Sequence, residues 1–223
     1  MARVASETLN YSDMFCCRVN EETELRLIDR QNADALFRII DANREHIRQW
    51  HPWVDAIRTT MAVERAIINW QQQYTNNRGF YAGVWHQGNF CGVINHLTVD
   101  WANRWTAFGY WLDEGHQGKG IMTACCRTMI AHAFDTWQLH RITIECATEN
   151  ARSRGVPERL GFKFEGTIRG IEWLHDHFAD HAMYSLLKTD AVPWRAAVAT
   201  KAEPVCAPMT TKQPVPALAG NVA

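Results

Sequence analysis

Tyr110-Trp111-Leu112-Asp113-Glu114-Gly115-His116-Gln117-Gly118-Lys119-Gly120-Ile121-Met122-Thr123 is the stretch whose reading decides the rest of this chain. Strand-forming residues run into a polar turn with glycines at positions 115, 118 and 120, and the turn passes into a helical pattern. The first turn of a helix offers backbone N–H groups without intrahelical partners, at the positive end of the helix dipole. Glycines let that backbone lie close against a phosphate. The stretch therefore suits an anion such as a pyrophosphate. It is neither G-x-x-x-x-G-K-[ST] nor G-x-G-x-x-G, which sets aside the two common nucleotide loops. From the loop alone two readings stand: an anion cradle, and a glycine-rich turn ahead of a surface helix.

Working outward, Thr23 to Ile28 reads as a first strand. Asn32 is expected to cap a helix from Ala33, with Leu36, Phe37, Ile39 and Ile40 as its apolar stripe. A second helix fits Met61 to Tyr74, with Val63, Ala66, Ile67 and Trp70 at helical spacing. Phe80 to Trp85 and Phe90 to Leu97 read as strands joined by a tight turn at 86–89, and Trp105 to Leu112 as the third strand of a meander. After the loop come a helix from about Gly120 to Asp135 and a strand from Arg141 to Cys146. A short helix after Asn150 ends at Gly161, and strands follow over Phe162 to Ile171 and Ala182 to Leu187. The order β-α-α-β-β-β-α-β-α-β-β predicts an α/β arrangement around a mixed sheet. Pro157 removes an N–H and crowds the carbonyl four residues back, that of Ser153. The last helix is thus expected either to start late, near Val156, or to kink at Ser153.

The 223 residues are 47% hydrophobic and 21% charged, a composition that supports one good-sized soluble domain. A formal net charge of -1 gives no global field for nucleic acid. Seven cysteines, without a C-x-x-C pair, read as reduced and mostly buried thiols of a cytoplasmic protein. No apolar run is long enough to span a bilayer, and the N-terminus lacks a signal-peptide core, so no membrane partner is expected. We divide the chain into a leader (1–20), one domain (21–189) and a tail (190–223). The tail, rich in Ala, Pro, Val and Thr, is expected to be disordered.

Gln117-Gly118-Lys119-Gly120-Ile121 resembles the Q/R-x-x-G-x-G/A acetyl-CoA loop of the GCN5-related N-acetyltransferase (GNAT) superfamily. The longer string from Tyr110 to Ile121 is similar to the RimJ/RimL branch, which acetylates N-terminal amines of ribosomal proteins. Asn150-Ala151-Arg152-Ser153 and Arg159-Leu160-Gly161-Phe162-Lys163-Phe164-Glu165-Gly166 resemble that branch's N-x-x-S and LGF-x-x-EG signatures. Glu172-Trp173-Leu174-His175-Asp176, Asp180 and Tyr184 resemble its closing segment. The likeness runs, in order, over roughly Leu25 to Leu187.

The resemblance implies the GNAT fold: a mixed, mostly antiparallel twisted sheet with a splayed parallel strand pair and flanking helices. It implies acetyl-CoA as cosubstrate, no metal, and direct acetyl transfer to a primary amine, either a protein N-terminus or a small molecule. The small-molecule alternatives are an antibiotic, a polyamine or an amino-acid-like amine; a non-catalytic acyl-CoA-binding module is a further alternative. A homodimer is expected on the same ground. Backbone groups of Tyr110, Trp111 and Leu112 would pair with the pantetheine arm. The N–H groups of Gln117, Gly118, Lys119, Gly120, Ile121 and Met122 would hold the pyrophosphate, although Met122 stands where the loop normally has Gly or Ala. Asn150 would bond the cofactor arm or cap the helix. Glu172 matches the general base, and Ser153 the group that protonates or hydrogen-bonds the departing thiolate. Read as residues alone, Glu172 is equally a solvated strand residue and Ser153 a helix cap. Trp50, Trp53, Trp70 and Trp85 line an acceptor pocket or fill the core. His175, His177 and His181 beside Asp176 and Asp180 have metal-ligand chemistry, which the resemblance does not call on. Cys146 reads as a buried small residue and not a nucleophile.

Overall fold

The computed structural model describes residues 15–190. The expected leader up to residue 14 and the tail from residue 191 lie outside the described residues. Eight strands form one sheet in the order β1-β2-β3-β4-β5-β6-β8-β7. They are β1 (Cys16–Arg18), β2 (Thr23–Leu27), β3 (Phe80–His86), β4 (Asn89–Asp100), β5 (Trp105–Leu112), β6 (Arg141–Ala147), β7 (Lys163–Leu174) and β8 (His177–Leu187). The helices are α1 (Ala33–Ala42), α2 (Arg44–Arg48), α3 (Thr60–Thr75), α4 (Ile121–Ala131) and α5 (Ala151–Leu160). Strands β1 and short α2 add to the expected order. β1 pairs with β2, so the sheet begins upstream of the boundary expected at residue 21.

Strand alternation supplies two apolar faces. Phe80, Ala82 and Val84 of β3 join Phe108 and Leu112 of β5 in a core closed by Cys125, Met129 and Ile130 of α4. Tyr81 and Trp111 point the other way and pack with Leu36 and Ile40 of α1 and Val63 and Ile67 of α3. The β3–β4 hairpin turns through Gln87 and Gly88, both at positive φ, as a two-residue turn of this hand requires. Thr59 caps α3, its hydroxyl accepting from the Ala62 N–H at 3.3 Å. Asn32 does not cap α1 as expected. Its side chain accepts from the Asp29 N–H at 2.9 Å, while Asp29 accepts from the Gln31 N–H at 2.8 Å. The two close a capping box around a single 3-10 turn at Arg30–Asn32 that leads into α1.

Cys16, Cys91, Cys125, Cys126 and Cys146 are free thiols, all but Cys16 buried. Among the described residues no helix is long and apolar enough to cross a membrane.

His96 and His132 are buried within the first core, at 0% and 2% exposure. His132 packs edge-on against Phe15, Phe80 and Trp137. Neither of its ring nitrogens has a hydrogen-bond partner among the described residues. Burial pushes His132 down to about 4 and holds His96 well below the ordinary histidine range. The fold thus selects neutral rings. Their contribution is complete above pH 6.5 and is lost as pH falls from 6.5 towards 4, because the unfolded chain takes up the protons first. Urea unfolding at pH 7 and pH 5 should differ by about 2 kcal/mol from His132 alone. His132→Phe should remove that part of the difference.

Candidate functional site

All neighbouring strands run antiparallel except β5 and β6. That parallel ladder runs from Trp105–Arg141 to Phe108–Ile144 and stops, though β5 continues to Leu112 and β6 to Ala147. The strand ends splay apart. On β5 the Gly109 N–H donates to Asn95 Oδ1 at 3.0 Å, and just beyond the strand the Asp113 N–H donates to the Cys91 carbonyl at 2.9 Å, both towards β4. Strand alternation then turns the backbone groups of Tyr110 and Leu112 into the gap and those of Trp111 away from it.

Past Leu112, the Asp113 carboxylate accepts from the His116 N–H at 2.9 Å and starts one 3-10 turn at Glu114–His116. Gly118 and Gly120 follow at φ +73° and +77°, and Gly120 stands at the start of α4. A Cβ at either would meet nothing within 4 Å. Backbone conformation, not crowding, is what calls for glycine there. Gln117 anchors the loop: its side chain donates to the Leu112 carbonyl at 3.2 Å and accepts from Arg152 of α5 at 2.9 Å. Gln117, Gly118, Gly120, Ile121 and Met122 all line the cleft, whereas Lys119 does not.

The Asn150 side chain caps α5, accepting from the Ser153 N–H at 3.1 Å. The helix runs unbroken from Ala151 to Leu160 with Pro157 inside it, so the expected late start is corrected. The carbonyl that Pro157 cannot serve is that of Ser153, and the Tyr110 hydroxyl donates to it at 3.1 Å across the gap. Burial holds Tyr110 protonated, well above its ordinary range, and so a donor. Burial pushes the Cys146 thiol up, with the Ser153 side chain acting in the opposite direction. That keeps Cys146 a thiol, as its reading as a non-nucleophile expects.

Gap, loop and helix ends open into one cleft of about 1340 Å³. Ligand pockets commonly measure roughly 300–1,000 Å³, so this one has room for two ligands. Trp50, Trp53 and Trp70 line its far part with Tyr81 and Trp111. Trp85 lies elsewhere, packed at a tilt of 32° on Phe90 with ring centroids 4.7 Å apart, under the Arg26 guanidinium. Burial, reinforced by His46, pushes His51 in this wall down to about 4, so it is neutral at pH 7 and does not repel an amine. Glu172 lines the cleft from β7, where its carboxylate meets His181 Nε2 at 3.0 Å; His181 Nδ1 meets Glu145 of β6 at 2.8 Å. Neither Glu145 nor His181 was read as a partner of Glu172, because their meeting depends on strand register. The three histidines do not converge: His175 bonds the Arg48 carbonyl and His177 bonds Asp176.

These features are those of an acetyltransferase whose donor lies between two parallel strand ends. The family model of the GNAT acetyltransferase domain matches residues 23–163, and the chain belongs to that family. It is an acetyl-CoA-dependent N-acetyltransferase of the RimJ/RimL type. YdaF of Bacillus subtilis (strain 168) is 36% identical over 178 residues, covering 79% of this chain and 97% of its own. The ribosomal-protein-serine acetyltransferase of Escherichia coli (strain K12) is 26% identical over 168 residues, covering 75% and 94%. The solved structure of the microcin C7 self-immunity acetyltransferase MccE, in complex with acetyl-CoA and AMP, superposes with a TM-score of 0.74 at 25% identity, covering 76% of this chain and 94% of its own. The residues present fit acetyl-CoA: the αL glycines and the start of α4 suit its pyrophosphate, and the ladder end suits an amide-bearing arm.

Tyr110→Phe should leave the Ser153 carbonyl without its donor and lower stability by about 1–3 kcal/mol in urea unfolding. Restoring an N–H beneath it with Pro157→Ala should recover part of that loss.

Proposed function

We propose that this enzyme acetylates the N-terminal amine of a protein, foremost a ribosomal protein, in the cytoplasm. The observation that carries the catalytic part is that Glu172 and Ser153 line one cleft together with the splayed ends of β5 and β6. The acceptor class is supported by what the E. coli relative is named for. The exposed ring of Trp53 widens the aromatic end of the cleft towards solvent, as a peptide acceptor needs.

Acetyl-CoA supplies an activated acetyl thioester. The α-amine has a pKa of about 8, so a base raises its reactive neutral fraction at pH 7. Glu172 takes that proton through a water. Backbone N–H groups turned into the gap stabilise the oxyanion as it develops. Ser153 hydrogen-bonds the departing thiolate, being a poor acid in its own right. Gln117, Gly118, Gly120, Ile121 and Met122 hold the pyrophosphate with their backbone, with Lys119 contributing its N–H alone. Asn150 acts as the cap that sets Ser153. A second copy of the chain would cover Phe164, Ile171, Trp173 and Phe178, which are exposed on the β7–β8 hairpin at the sheet edge.

The test is thiol release from acetyl-CoA with serine- and alanine-initiated peptides, spermidine and free amino acids as acceptors. Peptides should turn over fastest. Glu172→Gln should lower kcat/KM by about 100-fold and Ser153→Ala by about tenfold, with acetyl-CoA affinity little changed. Turnover of spermidine or an amino acid alone would shift the acceptor to a small amine. Turnover of none would refute the catalytic roles.

A further inference from the structure

The one constellation in the cleft that the proposed chemistry leaves unused is the His181 ring, clamped between two carboxylates. It is brought together by three neighbouring strands. His181 of β8 lies opposite Ala147 of β6, which sets Glu145 two residues along on the same face. On the other side β7 carries a bulge: Ile168 lies opposite His181, yet Glu172 and not Gly170 lies opposite Ala179. The bulge passes through Gly170 at φ +57°, and the Gly170 N–H donates to Asp180 at 2.7 Å. Without it Glu172 would lie opposite His177, a strand pair further from His181. The fold thus spends a left-handed glycine and an Asp180 staple on bringing Glu172 to the imidazole.

Both ring nitrogens of His181 face carboxylate oxygens, so the ring is held from two sides, by Glu145 at Nδ1 and by Glu172 at Nε2. The titratable groups facing it are Glu145 from β6 and Glu172 from β7, while Asp180, next in sequence, is turned to Gly170. The His181 side chain is 14% exposed against 35% for Glu145 and 33% for Glu172, so the ring is the shielded member.

We infer that His181, itself held by Glu145, is a positioning residue for acetyl transfer that fixes the Glu172 carboxylate in the cleft. This rests on the reading of Glu172 as base. The amine loses one proton, which enters at Glu172 and stays on it, while the His181 ring keeps its own protons. No electrons move and no co-reactant is needed.

The experiment is the pH profile of kcat/KM for the parent, His181→Gln and Glu145→Gln, with the fastest acceptor of the panel above and with acetyl-CoA affinity measured by calorimetry. Glutamine keeps a donor at position 181 but cannot meet both carboxylates in the ring's geometry. His181→Gln should lower kcat/KM at pH 7 by about tenfold or more, through kcat and not KM, and keep acetyl-CoA affinity within about twofold. Glu145→Gln, at a more exposed and tolerant site, should lower kcat severalfold with KM for acetyl-CoA unchanged, and it carries the test if His181→Gln does not fold. A kcat/KM within about twofold of the parent overturns the inference and leaves acetyl transfer standing. A parent that turns over no amine overturns both.

Discussion

The end of the β5–β6 ladder at Phe108–Ile144 is the constraint on which the rest of this molecule depends. A parallel pair that stayed closed would satisfy its own backbone and leave no room for a donor. Because it opens, backbone groups of β5 face a gap, and the two helices that follow the open strands begin beside it. β5 leads through the glycine loop into α4, and β6 leads through Asn150 into α5. One topological event therefore sets a polar strand edge and two helix N-termini around the same space, where an extended anionic ligand meets both.

Keeping the gap open also requires a bridge across it. Tyr110 and Gln117 supply it, the first to the Ser153 carbonyl and the second to the Arg152 side chain. The Tyr110 bond is the more telling. Pro157 denies the Ser153 carbonyl its helical partner, and a phenol from the opposite strand takes the place. A helix interior normally suffers from proline through both the lost bond and the clash. Here the bond is replaced, and α5 stays whole while being tied to β5 at Ser153, which lines the cleft.

Much of the fold was legible in the chain itself. The β5 strand, the helix between Asn150 and Gly161 and the turn at Gln87-Gly88 follow from local rules, namely alternation, capping and positive φ. The glycine loop leading into α4 was legible for the same reason, since consecutive residues build it. The capping role given to Asn32 failed narrowly, because Asp29 and Asn32 close a box one turn earlier than helix periodicity alone suggests. The short α2 and β1 escaped notice since neither is long enough to show a period.

The far side of the site belongs to register. Glu145, Glu172 and His181 stand up to 36 positions apart in the chain and meet through a two-residue bulge that no pattern in β7 announces. Likewise, the sequence shows that Pro157 must cost α5 a hydrogen bond, but not that Tyr110 would restore it. What the sequence alone determined was the donor side, because a loop and a helix start are made by neighbours in the chain. What only the tertiary structure decided was the company kept by Glu172 and Ser153, because side-chain contacts across strands depend on pairing register, and one local bulge resets it.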